Sequence, residues 1–383
     1  MLIERPFAVH SHSAHHVTPR GIWPKPAPAA QTPALDSLRG LAALAVVFTH
    51  VLSMGPDIGS DAAWLLDATP LRAVHTGRAP VVFFFVLSGY VLALSLVRPD
   101  APGPVAFALR RTVRLLLPVT GAVQLSAGLR AVFHQGPMPN LLGWDARLLW
   151  SEPVGLSMLL RQALLLGADY RFTLDIPLWS LVHEWRLSVV FPLVLLFRRR
   201  PALLLATVLA LHAAALAAGA APDAVQLGPR LASTLVASAY FALPFAAGAA
   251  LAFGGGLTLR GAARPVAWVG VAAASALPSD LGYVAASAAL IVLARGPGLL
   301  LGALAAPPLL RLGRVSFSLY LVHVPVLAAM LHATHGWLSP WAALAAGVPV
   351  SLLVAAAFHA WVEAPAHRLS RSVGGGRGGS ARA

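Results

Sequence analysis

The 383-residue sequence contains no cysteine and a single lysine, Lys25, and charged residues of all kinds make up only 11% of it. The lack of cysteine excludes disulfide bonds, thiol catalysis and iron–sulfur clusters. Soluble domains carry roughly 25% charged residues. Together with a hydrophobic content of 58%, the scarcity of charge predicts an integral membrane protein.

Ten apolar segments are long enough to cross a bilayer as helices of about 17–25 residues. They lie near residues 36–54, 79–97, 112–132, 177–197, 202–219, 231–253, 265–279, 281–300, 315–334 and 339–361. Connections rich in arginine alternate with connections rich in acidic residues. By the positive-inside rule, this pattern predicts an all-α polytopic protein of about ten transmembrane helices with both termini in the cytoplasm. The arginines therefore indicate membrane topology and not a nucleic-acid partner.

Two tails flank the predicted membrane domain. Residues 1–34 are rich in Pro, His and Ala and predict a disordered cytoplasmic tail, and residues 371–383 predict a flexible cytoplasmic tail. The histidines at 10, 12, 15 and 16 could bind a metal, but scattered histidines in a disordered segment are the favoured interpretation. No set of His, Asp and Glu has metal-ligand spacing on one helix, so we expect no metal. The abundance of arginine, alanine and leucine is typical of GC-rich bacteria, so we expect the bacterial cytoplasmic (inner) membrane.

The first predicted helix carries two ionisable residues, Arg39 and His50, in an otherwise apolar run. Eleven residues at about 100° per residue bring them to one helix face, roughly 16 Å apart along the axis. Ionisable groups are unfavourable in hydrocarbon, so this face is predicted to line a site or a pathway.

Glu184 is the only acidic residue well inside a predicted span. It lies about two helical turns below the outer surface, and His50 lies about one turn below the same surface. We therefore expect Glu184 to orient His50 as a general base, the arrangement that nucleophilic transfer requires. A buried His–Glu hydrogen bond that only joins two helices is the alternative.

Arg110, Arg111 and Arg114 stand at the predicted cytoplasmic entrance of the third span. Arg111 and Arg114 share a helix face because they are three residues apart. Guanidinium groups suit bidentate phosphate binding, and Arg39 could complete a phosphate-binding cluster with them. Ordinary positive-inside anchoring explains these arginines equally well.

Other polar residues in the predicted spans have less certain roles. Ser88 and Gly89 favour close helix packing, and Ser88 lacks the Gly-x-Ser-x-Gly context of a nucleophile. His323 either contacts substrate or pairs with Tyr320 or a neighbouring backbone group. Three further histidines are interpreted as structural: His183, His212 and His359.

Six motifs occur in a fixed order between residues 35 and 370. They are Leu35-Asp36-x-Leu38-Arg39-Gly40 running to His50, Phe84-Phe85-Val86-Leu87-Ser88-Gly89-Tyr90, Arg111-x-x-Arg114, Pro177-Leu178-Trp179-Ser180-Leu181-x-x-Glu184, Ser316-x-Ser318-Leu319-Tyr320-Leu321-x-His323-x-Pro325 and Val362-Glu363-x-Pro365-x-x-Arg368. In this order they resemble the integral-membrane acyltransferase-3 family, whose bacterial members O-acetylate surface polysaccharides and related glycans.

The resemblance implies a transmembrane acyltransferase domain over residues 35–370. It implies transfer of an acyl group, with acetyl expected, from cytoplasmic acetyl-CoA to a hydroxyl of an extracytoplasmic acceptor. That acceptor would be a glycan, a lipid-linked saccharide or a small molecule. The resemblance assigns His50 to catalysis, Arg39 to the acyl-donor path, and Arg111 and Arg114 to the phosphates of CoA.

Three residues of these motifs are assigned to substrate binding: Ser88, Trp179 and His323. Glu184 matches the first glutamate of a family motif that often has two in a row, but here Trp185 occupies the second position. A transporter or flippase that lines its path with the same residues is the main rival, although the sequence shows no internal repeat. A purely structural polytopic scaffold leaves His50 and Glu184 unexplained.

Overall fold

The computed structural model describes residues 33–138, 143–166, 172–220, 227, 230–255, 257–296 and 299–373. The four N-terminal histidines and almost all of the two predicted tails lie outside these residues. Every regular element of the described chain is helical, which confirms the all-α class.

The structure describes eight helices in the first half of the chain. They are α1 (Pro33–Met54), α2 (Ser60–Asp67), α3 (Arg72–His75), α4 (Arg78–Leu96), α5 (Pro104–Phe133), α6 (Trp144–Leu148), α7 (Leu156–Ala163) and α8 (Leu178–Val190), which continues as a 3₁₀ turn over Phe191–Phe197. Nine follow. They are α9 (Pro201–Ala217), α10 (Leu231–Tyr240), α11 (Ala242–Phe253), α12 (Ala263–Ala276), α13 (Asp280–Ala294), α14 (Leu299–Leu304), α15 (Pro307–Ala333), α16 (Pro340–Phe358) and α17 (Ala364–Ser372), with a π-helical turn over His359–Glu363 between the last two.

Seven helical segments of the described chain are long and apolar enough to cross a membrane. They are Pro33–Met54, Arg78–Leu96, Pro104–Phe133, Leu178–Phe197, Leu231–Phe253, Pro307–Ala333 and Pro340–Ser372. The other three predicted spans fold as α9, α12 and α13, of 17, 14 and 15 residues. Such helices are roughly 21–26 Å long, shorter than a hydrocarbon core of about 30 Å. The count of about ten spans therefore stays a prediction.

Helices α1 and α15 run parallel and approach each other closely at Gly40. A Cβ atom on Gly40 would come within 2.6 Å of the backbone nitrogen of Gly313 on α15. Glycine at both positions permits this contact, which brings Arg39 beside Ser316 and, further along, His50 beside His323. The pairing of these two helices thus sets which polar residues share one site.

The short helix α6 docks on the end of α1 through Gly143, the residue before it. The backbone nitrogen of Gly143 donates to the carbonyl of Met54 at 3.0 Å. A Cβ atom on Gly143 would collide with the backbone carbonyl of Ser53, so only glycine allows this approach. The contact holds α6 against the last turn of α1, next to His50.

Candidate active site

The imidazole of His50 is paired with Asp145 of α6. Its Nδ1 atom lies 2.8 Å from Oδ2 of Asp145, and the hydroxyl of Ser53 donates to the same oxygen. Asp145 is buried, with 5% of its surface exposed, whereas 13% of the His50 side chain is exposed. A carboxylate only accepts hydrogen bonds, so Nδ1 of His50 carries its proton and Nε2 keeps a free lone pair.

The expected contact between His50 and Glu184 is wrong. Oε1 of Glu184 accepts from Arg111 at 2.9 Å and from Ser88 at 3.2 Å, and the same Arg111 nitrogen donates to Ser188 at 3.1 Å. Similar depth in a bilayer does not fix which faces of two helices meet. The faces of α5 and α8 bring the carboxylate of Glu184 to Arg111 instead.

Asp145, the partner of His50, was not predicted from the sequence. It lies in the stretch 133–176, which also contains Glu152, Asp169 and Asp175, and nothing in its local sequence distinguishes it from these acids. Gly143, two residues before Asp145, is a local signal of a close backbone approach. The sequence does not show that this approach is to the end of α1.

The two acids of this stretch that are buried differ in charge state. Burial acts to raise the pKa of Asp145, but the hydrogen bonds from His50 and Ser53 hold that pKa below its ordinary value. Asp175 is fully buried, neither of its carboxylate oxygens has a hydrogen-bond partner among the described residues, and burial raises its pKa well above the usual range. Asp145 is therefore ionised at neutral pH, whereas Asp175 favours its neutral form.

His323 lies beside His50 and is fully buried. The centroids of the two rings are 5.2 Å apart, with an angle of 51° between the planes. Nδ1 of His323 lies 3.0 Å from the carbonyl oxygen of Leu319, so the predicted pairing with a neighbouring backbone group is present. We call His50 and His323 the histidine pair.

Tyr320, the other predicted partner of His323, is bonded elsewhere. Its hydroxyl lies 2.6 Å from Oγ of Ser180 and donates to the carbonyl of Pro177 at 3.0 Å. These bonds tie α15 to the start of α8, so Tyr320 contributes to the frame around the histidine pair.

The three arginines predicted to act together, Arg39, Arg111 and Arg114, lie near one another and are here called the arginine cluster. Arg39 donates to the carbonyl of Gly313 at 2.9 Å and to Oγ of Ser316 at 3.0 Å, and lies 3.3 Å from Asp36. Arg39 and Arg111 both lie within electrostatic reach of Arg114, as do the carboxylates of Glu184 and Glu363. Arg114 is an exposed residue.

The other residues predicted to bind substrate, Ser88 and Trp179, lie in different parts of the structure. Ser88 donates to Glu184, and the adjacent Gly89 packs against the backbone of Phe245, as expected for a close helix contact. The Trp179 ring is largely buried, with its centroid 5.7 Å from that of Phe241 and 6.0 Å from the Arg78 guanidinium. The substrate-binding roles of Ser88 and Trp179 stay predictions.

The three histidines interpreted as structural each have a polar partner. Nδ1 of His183 lies 2.9 Å from Oγ of Ser238, Nδ1 of His212 lies 3.0 Å from the carbonyl of Tyr240, and Nδ1 of His359 lies 2.9 Å from Glu363. Within the part of the chain that the structure describes, no group of three or more His, Asp or Glu side chains is arranged to hold a metal ion.

Comparison with protein families gives a match. A family model described as an acyltransferase domain, that of the acyltransferase-3 family, covers residues 32–360. No curated protein and no solved structure shows significant similarity to the chain. The match confirms the family resemblance, covers five of the six motifs, and includes the histidine pair and the arginine cluster; the sixth motif begins after the matched residues, at Val362.

Proposed function

The chain belongs to the acyltransferase-3 family of membrane acyltransferases, and from this membership we propose that it is an O-acyltransferase with His50 as its general base. The acyl group, expected to be acetyl, comes from cytoplasmic acetyl-CoA. The acceptor is a hydroxyl of an extracytoplasmic glycan, lipid-linked saccharide or small molecule. The enzyme acts in the bacterial inner membrane with both termini in the cytoplasm.

The arginine cluster binds the phosphates of the acyl-CoA. Arg114 supports this role because it is an exposed residue near two further guanidinium groups, and guanidinium groups suit the bidentate binding of phosphate. Glu184 neutralises part of the charge of Arg111 and fixes its orientation. Glu184 therefore acts as a positioning residue of the donor site. Asp145, and not Glu184, orients His50.

His50 removes the proton of the acceptor hydroxyl. Asp145 holds the Nδ1–H of the imidazole, so the free Nε2 faces the proton that has to be taken. As the hydroxyl oxygen bonds to the thioester carbon, its proton moves to Nε2. The carbon–sulfur bond then breaks, and the same proton passes to the departing thiolate of CoA. Asp145 stabilises the imidazolium between these two steps.

One observation carries this proposal: a carboxylate-paired histidine and an arginine of the arginine cluster share one face of α1. Arg39 and His50 are eleven residues apart on a continuous helix, which separates them by roughly 16 Å. This distance is close to the reach of an extended pantetheine arm. Phosphates held at the arginine cluster would thus leave the thioester beside His50.

Labelled acetyl-CoA tests the proposal against the transporter or flippase alternative. Inverted membrane vesicles that contain the protein are given acetyl-CoA labelled in the acetyl group, and the host's surface glycan is then recovered. An acyltransferase moves the label into ester linkage on the glycan, whereas a transporter leaves it unattached. Glycan mass compared between a deletion strain and its parent identifies the acceptor, and equal masses with no esterified label would contradict the proposal.

A further inference from the structure

His323 has one ring nitrogen with a fixed partner and one without. A carbonyl oxygen can only accept, so the contact with Leu319 places the ring proton on Nδ1. The other nitrogen, Nε2, is buried, and no described residue hydrogen-bonds to it. An imidazolium in this position would bury an unpaired charge, so His323 is neutral and its Nε2 is a hydrogen-bond acceptor.

The neighbouring His50 is in the same electronic state. Its Nδ1–H is held by Asp145, which leaves Nε2 of His50 as an acceptor as well. With ring centroids 5.2 Å apart, the histidine pair concentrates two acceptor nitrogens in one small region. Two lone pairs cannot bond to each other, so each nitrogen can accept a hydrogen bond only from a donor outside the two rings.

We propose that the acyl acceptor supplies both donors: its reactive hydroxyl bonds to Nε2 of His50, and a hydroxyl on the adjacent carbon bonds to Nε2 of His323. This inference rests on the proposed function and narrows the acceptor to polyols with neighbouring hydroxyls, such as sugar rings. A simple alcohol has one hydroxyl proton, which His50 requires. Such an acceptor leaves the nitrogen of His323 unsatisfied.

The two hydroxyls have different fates in the reaction. The reactive oxygen forms the new ester bond and passes its proton through His50 to the thiolate of CoA. The second hydroxyl keeps its proton throughout and only holds the acceptor in position. His323 is thus a specificity-determining residue, because a buried polar group discriminates strongly against an analogue that lacks its partner.

The inference is tested with small probes and protein reconstituted in lipid nanodiscs. Acetyl transfer from acetyl-CoA is measured to cyclohexanol and to the cis and trans isomers of cyclohexane-1,2-diol. The wild type is expected to acetylate at least one diol roughly tenfold faster than cyclohexanol, well beyond the twofold statistical advantage of two hydroxyls.

Two variants of nearly equal size separate hydrogen bonding from packing. The side-chain amide of glutamine reaches the position of Nε2, so His323→Gln should keep the preference for the diol. The amide of asparagine reaches only the position of Nδ1, so His323→Asn should acetylate diol and cyclohexanol at equal rates. His212→Leu is the matched control, since His212 is a buried histidine whose Nδ1 bonds to a backbone carbonyl away from the site.

Three results would count against these expectations in different ways. Equal wild-type rates with diols and cyclohexanol, both abolished by His50→Gln, would overturn the inference and leave the proposed function intact. A diol preference that persists in His323→Asn would overturn the assignment to His323. Failure of the wild type to acetylate any probe would contradict the proposed function, and the inference with it.

Discussion

Nδ1 of His50 lies 2.8 Å from a carboxylate oxygen of Asp145, which is 95 positions further along the chain. The histidine belongs to a membrane-spanning helix, whereas the aspartate belongs to a five-residue helix outside the spans. The orientation of His50 therefore depends on how α6 docks against the end of α1.

Asp145→Asn should lower kcat by roughly 100- to 10,000-fold while the protein still inserts and folds, because asparagine removes the negative charge that stabilises the His50 imidazolium. The measurement is acetyl transfer by purified protein at saturating acetyl-CoA. Asp67→Asn is the matched control, since Asp67 accepts from His75 at 3.0 Å in a pair outside the site. Equal loss in both variants would contradict the special role of Asp145.

Asp175→Asn should stabilise the protein at neutral and alkaline pH and have little effect below about pH 4. The folded protein holds Asp175 in its neutral form, because burial raises the pKa of that carboxyl. The wild type therefore loses stability as the pH rises above the ordinary aspartate pKa of about 4, where the carboxyl ionises in the unfolded chain. The loss amounts to at most about 1.4 kcal/mol per pH unit until the raised pKa is reached. Thermal unfolding in detergent at several pH values should show a gap between variant and wild type that widens with pH, and parallel curves would be inconsistent with a buried neutral Asp175.

Gly40→Val should destabilise the protein by about 1–3 kcal/mol or prevent its accumulation, because any side chain at Gly40 meets the backbone of α15. The expected readout is a lower unfolding temperature together with lost activity, since the same contact brings His50 beside His323. Gly128→Ala on α5 is the control, because nothing lies within 4 Å of a Cβ atom there. Normal stability of Gly40→Val would show that α1 and α15 are not closely packed.

Arg114→Gln should raise the KM for acetyl-CoA by roughly tenfold or more and change kcat little, because the lost contact binds a distant phosphate and not the reacting carbonyl. Initial rates over a range of acetyl-CoA concentrations provide the measurement. Arg110→Gln on the same helix is the control, since Arg110 donates to the carbonyl of Val373. A similar KM change in both variants would point to general positive charge and not to a specific phosphate site.

Most of the helices and the grouping of the arginines could be predicted from the sequence, because hydropathy and i,i+3 spacing are local properties. The partner of His50 could not. Glu184 was the only acid well inside a predicted span, and residue counting gave its depth but not its direction on α8. Asp145 reaches His50 because Gly143 packs against the end of α1, and no local sequence pattern indicates this tertiary contact.

The assignment of His50 as the base is tested most directly by His50→Gln in inverted vesicles supplied with labelled acetyl-CoA. Glutamine keeps the approximate size and polarity of the side chain but cannot take a proton at neutral pH. The variant is expected to insert normally, to bind acetyl-CoA, and to transfer no label above vesicles without the protein. Esterified label at the wild-type level would contradict the assignment of His50 as the catalytic base.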